Sequence, residues 1–303
     1  MMDQKMRWPR ITLVTPSFNS AATIERTLLS VERQSYPNLQ YICVDGASKD
    51  ETVSILQRYR HIVSRIISEP DNNATEAINK GFRLADGEIY CYINADDELA
   101  DAALVTAATY FNNNPDVDVI AGSCRRVFED KSETITEVHE AFLEELALRN
   151  LIEQPSTFWR SSLHRKAGEF DESFFYAFDW EMWNRFKSAG ARFKAVEDVL
   201  SIYHFSADNL TSRAGKKVID EMFRITRQYG PNLGLIAYAY RTIFRLLDMK
   251  GYYDGDIYSL SLHKRFYFLA IHGLLGLIFK RSHLQAYNWN WASKQIRGGV
   301  WYK

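Results

Sequence analysis

The first 120 residues alternate short β-rich runs with stretches of helical spacing. Ile11 to Pro16 (ITLVTP) is a continuous apolar run of the kind that fills a strand buried on both faces. Ala21 to Gln34 then sets Ile24, Leu28 and Val31 on one side of a helix. Leu39 to Asp45, His61 to Ser68 and Glu88 to Asn94 read as further strands. Helices are expected over Asp50 to Tyr59, Asn73 to Leu84 and Leu99 to Phe111. Strands separated by helices of this length predict βαβ units and a mostly parallel α/β sheet covered by helices on both faces. Ligands of such sheets bind beyond the carboxyl ends of the strands, so polar residues just past those ends are the first candidates for chemistry.

Farther along, residues 122–150 predict a less regular pair of strands and a helix at Ala141 to Leu148, and an aromatic-dense stretch over 154–198 contains a helix at Asp179 to Ala189. From Lys216 the pattern turns to basic helices, with an apolar face over Leu233 to Leu247. Phe266 to Phe279 is an apolar-rich run of 14 residues between Lys264-Arg265 and Lys280-Arg281. A spanning helix needs about 20 residues, so the run is short for crossing a bilayer. The expected division is a domain over 1–215, with halves at about 10–122 and 123–215, followed by a basic, aromatic-rich helical region over 216–303.

Composition adds limits. Of 303 residues, 46% are hydrophobic and 25% charged, which suits a globular chain with a sizeable core and excludes global disorder and collagen-like repeats. Three cysteines (Cys43, Cys91, Cys124), none in a CxxC pair, argue against a disulfide framework or a zinc ribbon. No apolar leader precedes the first strand, so the expected location is cytoplasmic, at the inner face of the cell membrane. The net charge of −1 conceals an asymmetry. Residues 1–215 hold 23 Lys and Arg against 33 Asp and Glu, and residues 216–303 hold 14 against 5. The basic tail suits an anionic partner, and peripheral membrane contact through 230–303 is weighed equally with packing on protein.

Three polar clusters follow three expected strands: Thr15-Pro16-Ser17-Phe18-Asn19, Asp45-Gly46-Ala47-Ser48-Lys49-Asp50 and Asn94-Ala95-Asp96-Asp97. Neither GxGxxG nor GxxxxGK(S/T) is present, so no glycine-rich loop cradles a phosphate. A nucleotide site without one needs another way to neutralise a diphosphate, and carboxylates holding a divalent cation are the obvious device.

Taken in order, TPSFN, DGASKDET, SEPDN, AINKGFRLADGEIYCYINADDEL and the later QPSTFWRSSLHRKAGEFDESFFYAFDWEMW resemble the family 2 glycosyltransferases of GT-A fold over roughly residues 10–205. The resemblance implies a Rossmann-like, mostly parallel sheet with a C-terminal helical extension. It also implies an inverting transfer of sugar from a nucleotide-diphosphate donor to a glycan or lipid-linked acceptor, in cell-surface polysaccharide or lipopolysaccharide assembly. The implied cofactor is a divalent metal, Mn²⁺ or Mg²⁺, and nucleic acid is not an expected partner. Asp45 corresponds to the aspartate that bonds the nucleotide base, with Pro16, Ser17 and Asn19 lining the same pocket. Asp71 resembles the second nucleotide-side aspartate, with Asn73, a residue tolerant of left-handed backbone, where the family has glycine. Lys80 is a candidate phosphate contact or a solvated helix lysine. Asn94-Ala95-Asp96 occupies the DXD position, with Asp96 and Asp97 as metal ligands and Asn94 on ribose or metal-bound water. His204 is a further candidate for metal or diphosphate.

Asp179, at the start of its helix, resembles the catalytic base, with Glu181 as competitor and Asp171 and Glu172 as turn residues. Three of these carboxylates also have a plain structural reading, as an Asx turn at Asp45 or a helix cap at Asp97 and Asp179, and such a reading explains Asp96 less easily. No QxxRW is present at Gln154 to Arg160, which favours single addition over polymerisation. The alternatives are a catalytically degenerate sugar-nucleotide-binding or scaffold protein, and a sugar nucleotidyltransferase, whose GxGxR loop is missing after the first strand.

Overall fold

Seven consecutive buried residues, Ile11–Ser17, make β1, an inner strand of the sheet. The computed structural model describes residues 8–140, 143, 146–147, 150–206, 209, 216–230, 234–236, 238–239, 242 and 261–279. β1 pairs in parallel with β2 (Leu39–Asp45), Ile11 lying opposite Leu39 and Ser17 opposite Asp45. Outside β2 lies parallel β3 (Arg65–Ser68), and on the other side of β1 lies parallel β4 (Ile89–Tyr92). The connecting helices are α1 (Ile24–Arg33), α2 (Thr52–Arg58) and α3 (Ala74–Arg83). α1 buries Ile24, Leu28 and Val31, the three residues its spacing placed on one face. α3 comes so close to β1 that a Cβ at Gly81 would stand 2.5 Å from Val14 Cγ1, which only glycine avoids.

The remaining elements are β5 (Glu98–Leu99), α4 (Ala103–Asn113), β6 (Val119–Val127), β7 (Glu133–Thr136) and a single 3₁₀ turn at Gln154–Ser156. After the turn come β8 (Thr157–Arg160), α5 (Ser161–Ala167), α6 (Phe178–Ser188) and β9 (Phe193–His204). The sheet runs β3-β2-β1-β4-β8-β6-β9-β5, with β7 on β6. β8 is antiparallel to both of its neighbours, whereas β6 and β9 are parallel with register shifts between Gly122 and Cys124. The chain thus forms a GT-A-type α/β sheet, parallel at one end and mixed at the other. Beside β8 the core is aromatic: Trp159, Trp180, Trp183, Phe158, Phe174 and Phe186 are fully buried, and the Trp159 and Trp183 rings meet edge to face at 5.4 Å.

Several boundaries differ from expectation. The strand expected from His61 starts only at Arg65, because Ile62 and Val63 both donate their N–H to Tyr59 O and close the turn after α2. The helix expected from Leu99 starts at Ala103. Leu99 pairs with Ser201 in the β5–β9 ladder, and Ala102, at φ 58°, breaks the chain direction. Asp97 therefore caps no helix. The helix expected over 141–148 and the apolar face over 233–247 lie largely outside the described residues.

The chain divides into two compact units, Met1–Leu143 with Ile152–Phe205 and Glu144–Leu151 with Ser206–Lys303. The second contains α7 (Lys216–Tyr229) and α8 (Leu262–Leu275). On and just beyond α8, Leu262, Phe266, Leu274, Leu277 and Ile278 are exposed. Among the described residues no helix is long and apolar enough to cross a membrane.

Candidate active site

The carboxyl ends of β1 and β2 stand side by side, with Pro16 opposite Val44 and Ser17 opposite Asp45. Asp45 is fully buried and saturated. Its Oδ2 accepts from the Ser48 N–H at 2.9 Å and the Ser68 hydroxyl at 2.7 Å, and its Oδ1 accepts from the Ser48 hydroxyl and, at 3.4 Å, the Ser17 hydroxyl. Asn19, at φ 48°, laces the two loops together: its N–H donates to Ser48 Oγ at 2.7 Å and its Oδ1 accepts from the Lys49 N–H at 2.9 Å. Phe18, between Ser17 and Asn19, is 61% exposed.

Asp71 packs against Gly46, where an added Cβ would lie 2.7 Å from Asp71 Oδ2. Burial raises the Asp71 pKa above its ordinary value, opposed by the Lys80 charge and reinforced by Glu76 and Asp45. Lys80 is occupied: Nζ donates to Pro70 O at 2.9 Å and pairs with Glu69 at 3.2 Å and Glu76 at 3.1 Å. Asn73 does not use left-handed backbone. It is extended, at φ −170°, and caps α3 by accepting from the Glu76 N–H at 2.9 Å.

The third cluster follows β4. Asn94 Nδ2 donates to Gln154 Oε1 at 3.3 Å, while Gln154 Nε2 donates to Tyr92 O at 2.7 Å. Arg26 holds the turn from α1, its guanidinium donating to Asp96 O at 2.7 Å. The Asp97 carboxylate is fully buried. Its Oδ1 accepts from the His204 backbone N–H at 3.4 Å, and Oδ2 has no hydrogen-bond partner. Burial, then the Asp96 charge, pushes Asp97 well above the usual carboxylate range, against the His204 N–H, the Asn94 amide and Arg26. Asp96 is also raised by burial, with Arg26 and His204 pulling it down. The His204 ring turns to Glu98, with Nε2 and Oε1 2.8 Å apart.

Asp179 lies in the first turn of α6, which begins at Phe178, so it is a residue inside the helix. It is half-buried, and its Oδ1 accepts from the Trp180 N–H at 2.6 Å. The buried Tyr92 phenol links it to the third cluster: burial raises this hydroxyl well above its ordinary value, and the charges of Asp179 and Asp97 add to the shift. Glu181 is consumed by Arg185, at 2.7 Å. Asp171 closes a turn by accepting from the Ser173 N–H at 2.9 Å. Arg26, Gln154 and Tyr203 belong to the site without having been legible as such. Tyr203 is raised by burial and by the charges of Asp97 and Asp96. The contacts of Arg26 and Gln154 join residues 60 or more apart in sequence, and no local spacing announces them.

Among the described residues no group of three His, Cys, Asp or Glu side chains could hold a metal ion. What the site offers is one orphaned buried carboxylate oxygen beside a second desolvated carboxylate. That fits a hard cation taking one or two protein oxygens, the rest coming from substrate phosphate and water.

The family model described as Glycosyl transferase family 2 matches residues 12–180. An uncharacterized glycosyltransferase of Rickettsia prowazekii is 25% identical over 194 residues, covering 61% of this chain and 61% of the relative. A putative teichuronic acid biosynthesis glycosyltransferase of Bacillus subtilis, TuaG, is 38% identical over 93 residues, covering 30% of this chain and 37% of that protein. Each match thus spans less than two thirds of the relative's length. Among solved structures, S. aureus TarS 1-349 in complex with UDP-GlcNAc aligns with a TM-score of 0.62 at 15% identity, over 96% of this chain and 93% of that one. The mannosyltransferase PcManGT from Pyrobaculum calidifontis in complex with GDP-Man and Mn²⁺ aligns with a TM-score of 0.60 at 19% identity, over 97% and 89%.

Proposed function

The chain belongs to glycosyl transferase family 2, and we propose that it moves a sugar from a nucleotide-diphosphate donor to a glycan or lipid-linked acceptor in the synthesis of a cell-surface polymer. The observation that carries this reading is the pair of desolvated carboxylates, Asp96 and Asp97, beyond β4, with one oxygen unpartnered. Two further strand-end acids, Asp45 and Asp71, accompany them on the same parallel sheet. The teichuronic acid relative and the nucleotide-sugar complexes of the structural neighbours support the substrate class.

In this reading the nucleoside lies across the ends of β1 and β2. Asp45, saturated by Ser17, Ser48 and Ser68, fixes the loops against which the base lies, Asn19 and Phe18 flank the base, and Asp71 faces the ribose. Lys80 acts through Asp71, since its ammonium is tied to Glu69 and Glu76. Asp96 and Asp97 would hold a divalent cation, Mn²⁺ or Mg²⁺; Asn94 bonds to Gln154 beside them, and the His204 ring is bonded to Glu98. The cation supplies positive charge to the departing diphosphate. Asp179 takes the proton of the acceptor hydroxyl as its oxygen bonds to the anomeric carbon. The bond from that carbon to the diphosphate breaks on the opposite face, which inverts the configuration. The exposed apolar residues of α8 and the basic sequence around them support contact with an anionic membrane surface, where a lipid-linked acceptor resides.

The test is thermal stability of the purified protein with UDP, GDP, dTDP and CMP, each with and without Mn²⁺. A ligand at 100 times its dissociation constant adds about 2.7 kcal/mol to the folded state. A rise for one nucleotide only with metal, lost in Asp96→Ala, is expected. No response to any of them in folded protein would contradict the reading and favour a scaffold role.

A further inference from the structure

Helix α3 presents Thr75, Asn79 and Arg83 one turn apart, and all three are bonded to the segment leading into α6. The Thr75 hydroxyl donates to Phe174 O at 2.9 Å, and Arg83 pairs with Glu169 through two bonds of 2.8 and 2.6 Å. Between them Asn79, only 1% exposed, takes both backbone groups of Phe170. The Phe170 N–H donates to Asn79 Oδ1 at 2.9 Å, and Asn79 Nδ2 donates to Phe170 O at 2.9 Å and to Glu172 Oε1 at 2.9 Å. The Asn79 amide thus does for one loop residue what a neighbouring strand does for a strand residue.

α6 grips the same segment from the other side. Arg185, locked by Glu181, donates to Ala167 O at 3.1 Å and Glu169 O at 2.7 Å. The Phe170 ring meets Phe178, first residue of α6, at 6.1 Å, and Tyr92 at 5.7 Å. A buried amide costs free energy unless its groups are all bonded, and here the partners are a loop rather than the helix's own surroundings. Against the sheet α3 sets Gly81 on Val14 of β1 and Phe82 on Tyr90 of β4, and Phe82 also stacks on Phe170 at 6.2 Å, so Asn79 supplies the polar part of the hold on that residue.

We propose that Asn79 is a positioning residue for the transfer. It fixes the Phe170–Glu172 loop, and through Phe178 and Arg185 it fixes the first turn of α6 that carries Asp179. α3 is capped by Asn73, two residues after Asp71, so one helix holds the donor-side acid and the acceptor-side loop in a single frame. The inference rests on the reading of Asp179 as the base.

The experiment compares Asn79→Ala, Thr75→Val and Asp179→Asn in the full chain. It measures nucleoside diphosphate release from UDP-GlcNAc and GDP-mannose, binding of UDP and GDP with Mn²⁺ by calorimetry, and backbone hydrogen exchange. Asn79→Ala is expected to lower kcat about tenfold or more, as the loss of two to three buried hydrogen bonds implies, with nucleotide Kd changed less than about twofold. Exchange should quicken over 169–182 and stay unchanged in β1 to β4. Thr75→Val removes one bond at nearly constant shape and should give the same pattern in smaller measure, which covers the case of an Asn79→Ala protein that does not fold. Nucleotide affinity falling in step with kcat, or kcat unchanged despite quickened exchange, would overturn the proposal. Turnover surviving in Asp179→Asn would instead remove the reading of the base, while the exchange result would still decide whether Asn79 fixes the loop.

Discussion

Two buried carboxylate sites stand at the carboxyl ends of β2 and β4, two strands of the parallel end of the sheet separated by β1, and are held in opposite ways. Asp45, after β2, is surrounded by three hydroxyls and a backbone N–H, so its charge is met within the protein. Asp97, after β4, receives a long hydrogen bond from the His204 N–H, has the Asn94 amide and the Arg26 charge as its other favourable neighbours, leaves Oδ2 unpartnered, and lies beside a second desolvated acid. Burying a charge is costly unless it is paired and bonded. Asp45 meets that condition with its own fold, and Asp97 does not. The first is an orienting fixture that stabilises the domain. The second is left short of partners by its own fold, and in the proposed reading a cation that comes with the donor diphosphate supplies the charge it lacks.

The comparison breaks most visibly at Asp96. Asp96→Ala should cost at least about a thousandfold in sugar transfer, several kcal/mol of transition-state stabilisation, while the melting temperature stays level or rises. A variant that unfolds instead would place Asp96 with Asp45 among the fixtures. Asp45→Ala is the converse, since it strands the Ser17, Ser48 and Ser68 donors. A loss of about 3 kcal/mol in urea unfolding is expected from breaking charged hydrogen bonds at a buried site. Stability unchanged within error would show that the bonds around Asp45 are not what secures this crevice.

His164 sharpens the contrast as a buried titratable group with no role at the crevice. It sits among Phe82, Tyr90, Trp159 and Phe170, and burial, helped by Arg185, pushes its pKa down to about 4 from 6.5. The folded protein favours the neutral ring, so its contribution is fully present above pH 6.5 and is lost as pH falls toward 4. The loss is on the order of 3 kcal/mol. Urea unfolding at pH 7 and pH 4.5 should show this slope, and His164→Phe should flatten it. An undiminished slope in the variant would assign the acid sensitivity to other groups.

The smallest effect is at Gly46. In Gly46→Ala the new Cβ meets Asp71 Oδ2 at 2.7 Å, so that carboxylate must shift. Nucleotide affinity by calorimetry should weaken by about tenfold, roughly 1.4 kcal/mol, with little change in melting temperature. Unaltered affinity would remove Asp71 from the donor site.

The places of Asp45, Asp96 and Asp97 were legible because each stands at or just past the end of an apolar, strand-like run, and because TPSFN, DGASKDET and NADDEL follow the family order. The electrostatic character of those acids was not. Whether Asp97 caps a helix or is buried with an unpartnered oxygen depends on β5 pairing with β9, which brings His204 and Glu98 together across 106 residues. Antiparallel β8 was equally hidden, since TFWR carries no sign that it will separate β4 from β6. Asn73 was read as a backbone substitute for glycine and is a helix cap, because Glu76 offers its N–H three residues on. Lys80 looked available for phosphate, and only the fold brings Glu69 against it.

The most direct test is the melting temperature of Asp97→Asn against the unaltered protein, first in EDTA and then with Mn²⁺ and the responding nucleoside diphosphate. Removing an uncompensated buried charge should make the variant melt a few degrees higher in EDTA, and it should lose the metal-dependent rise. A variant that melts lower in EDTA and keeps the rise would contradict the account, because Asp97 would then be a satisfied structural residue like Asp45.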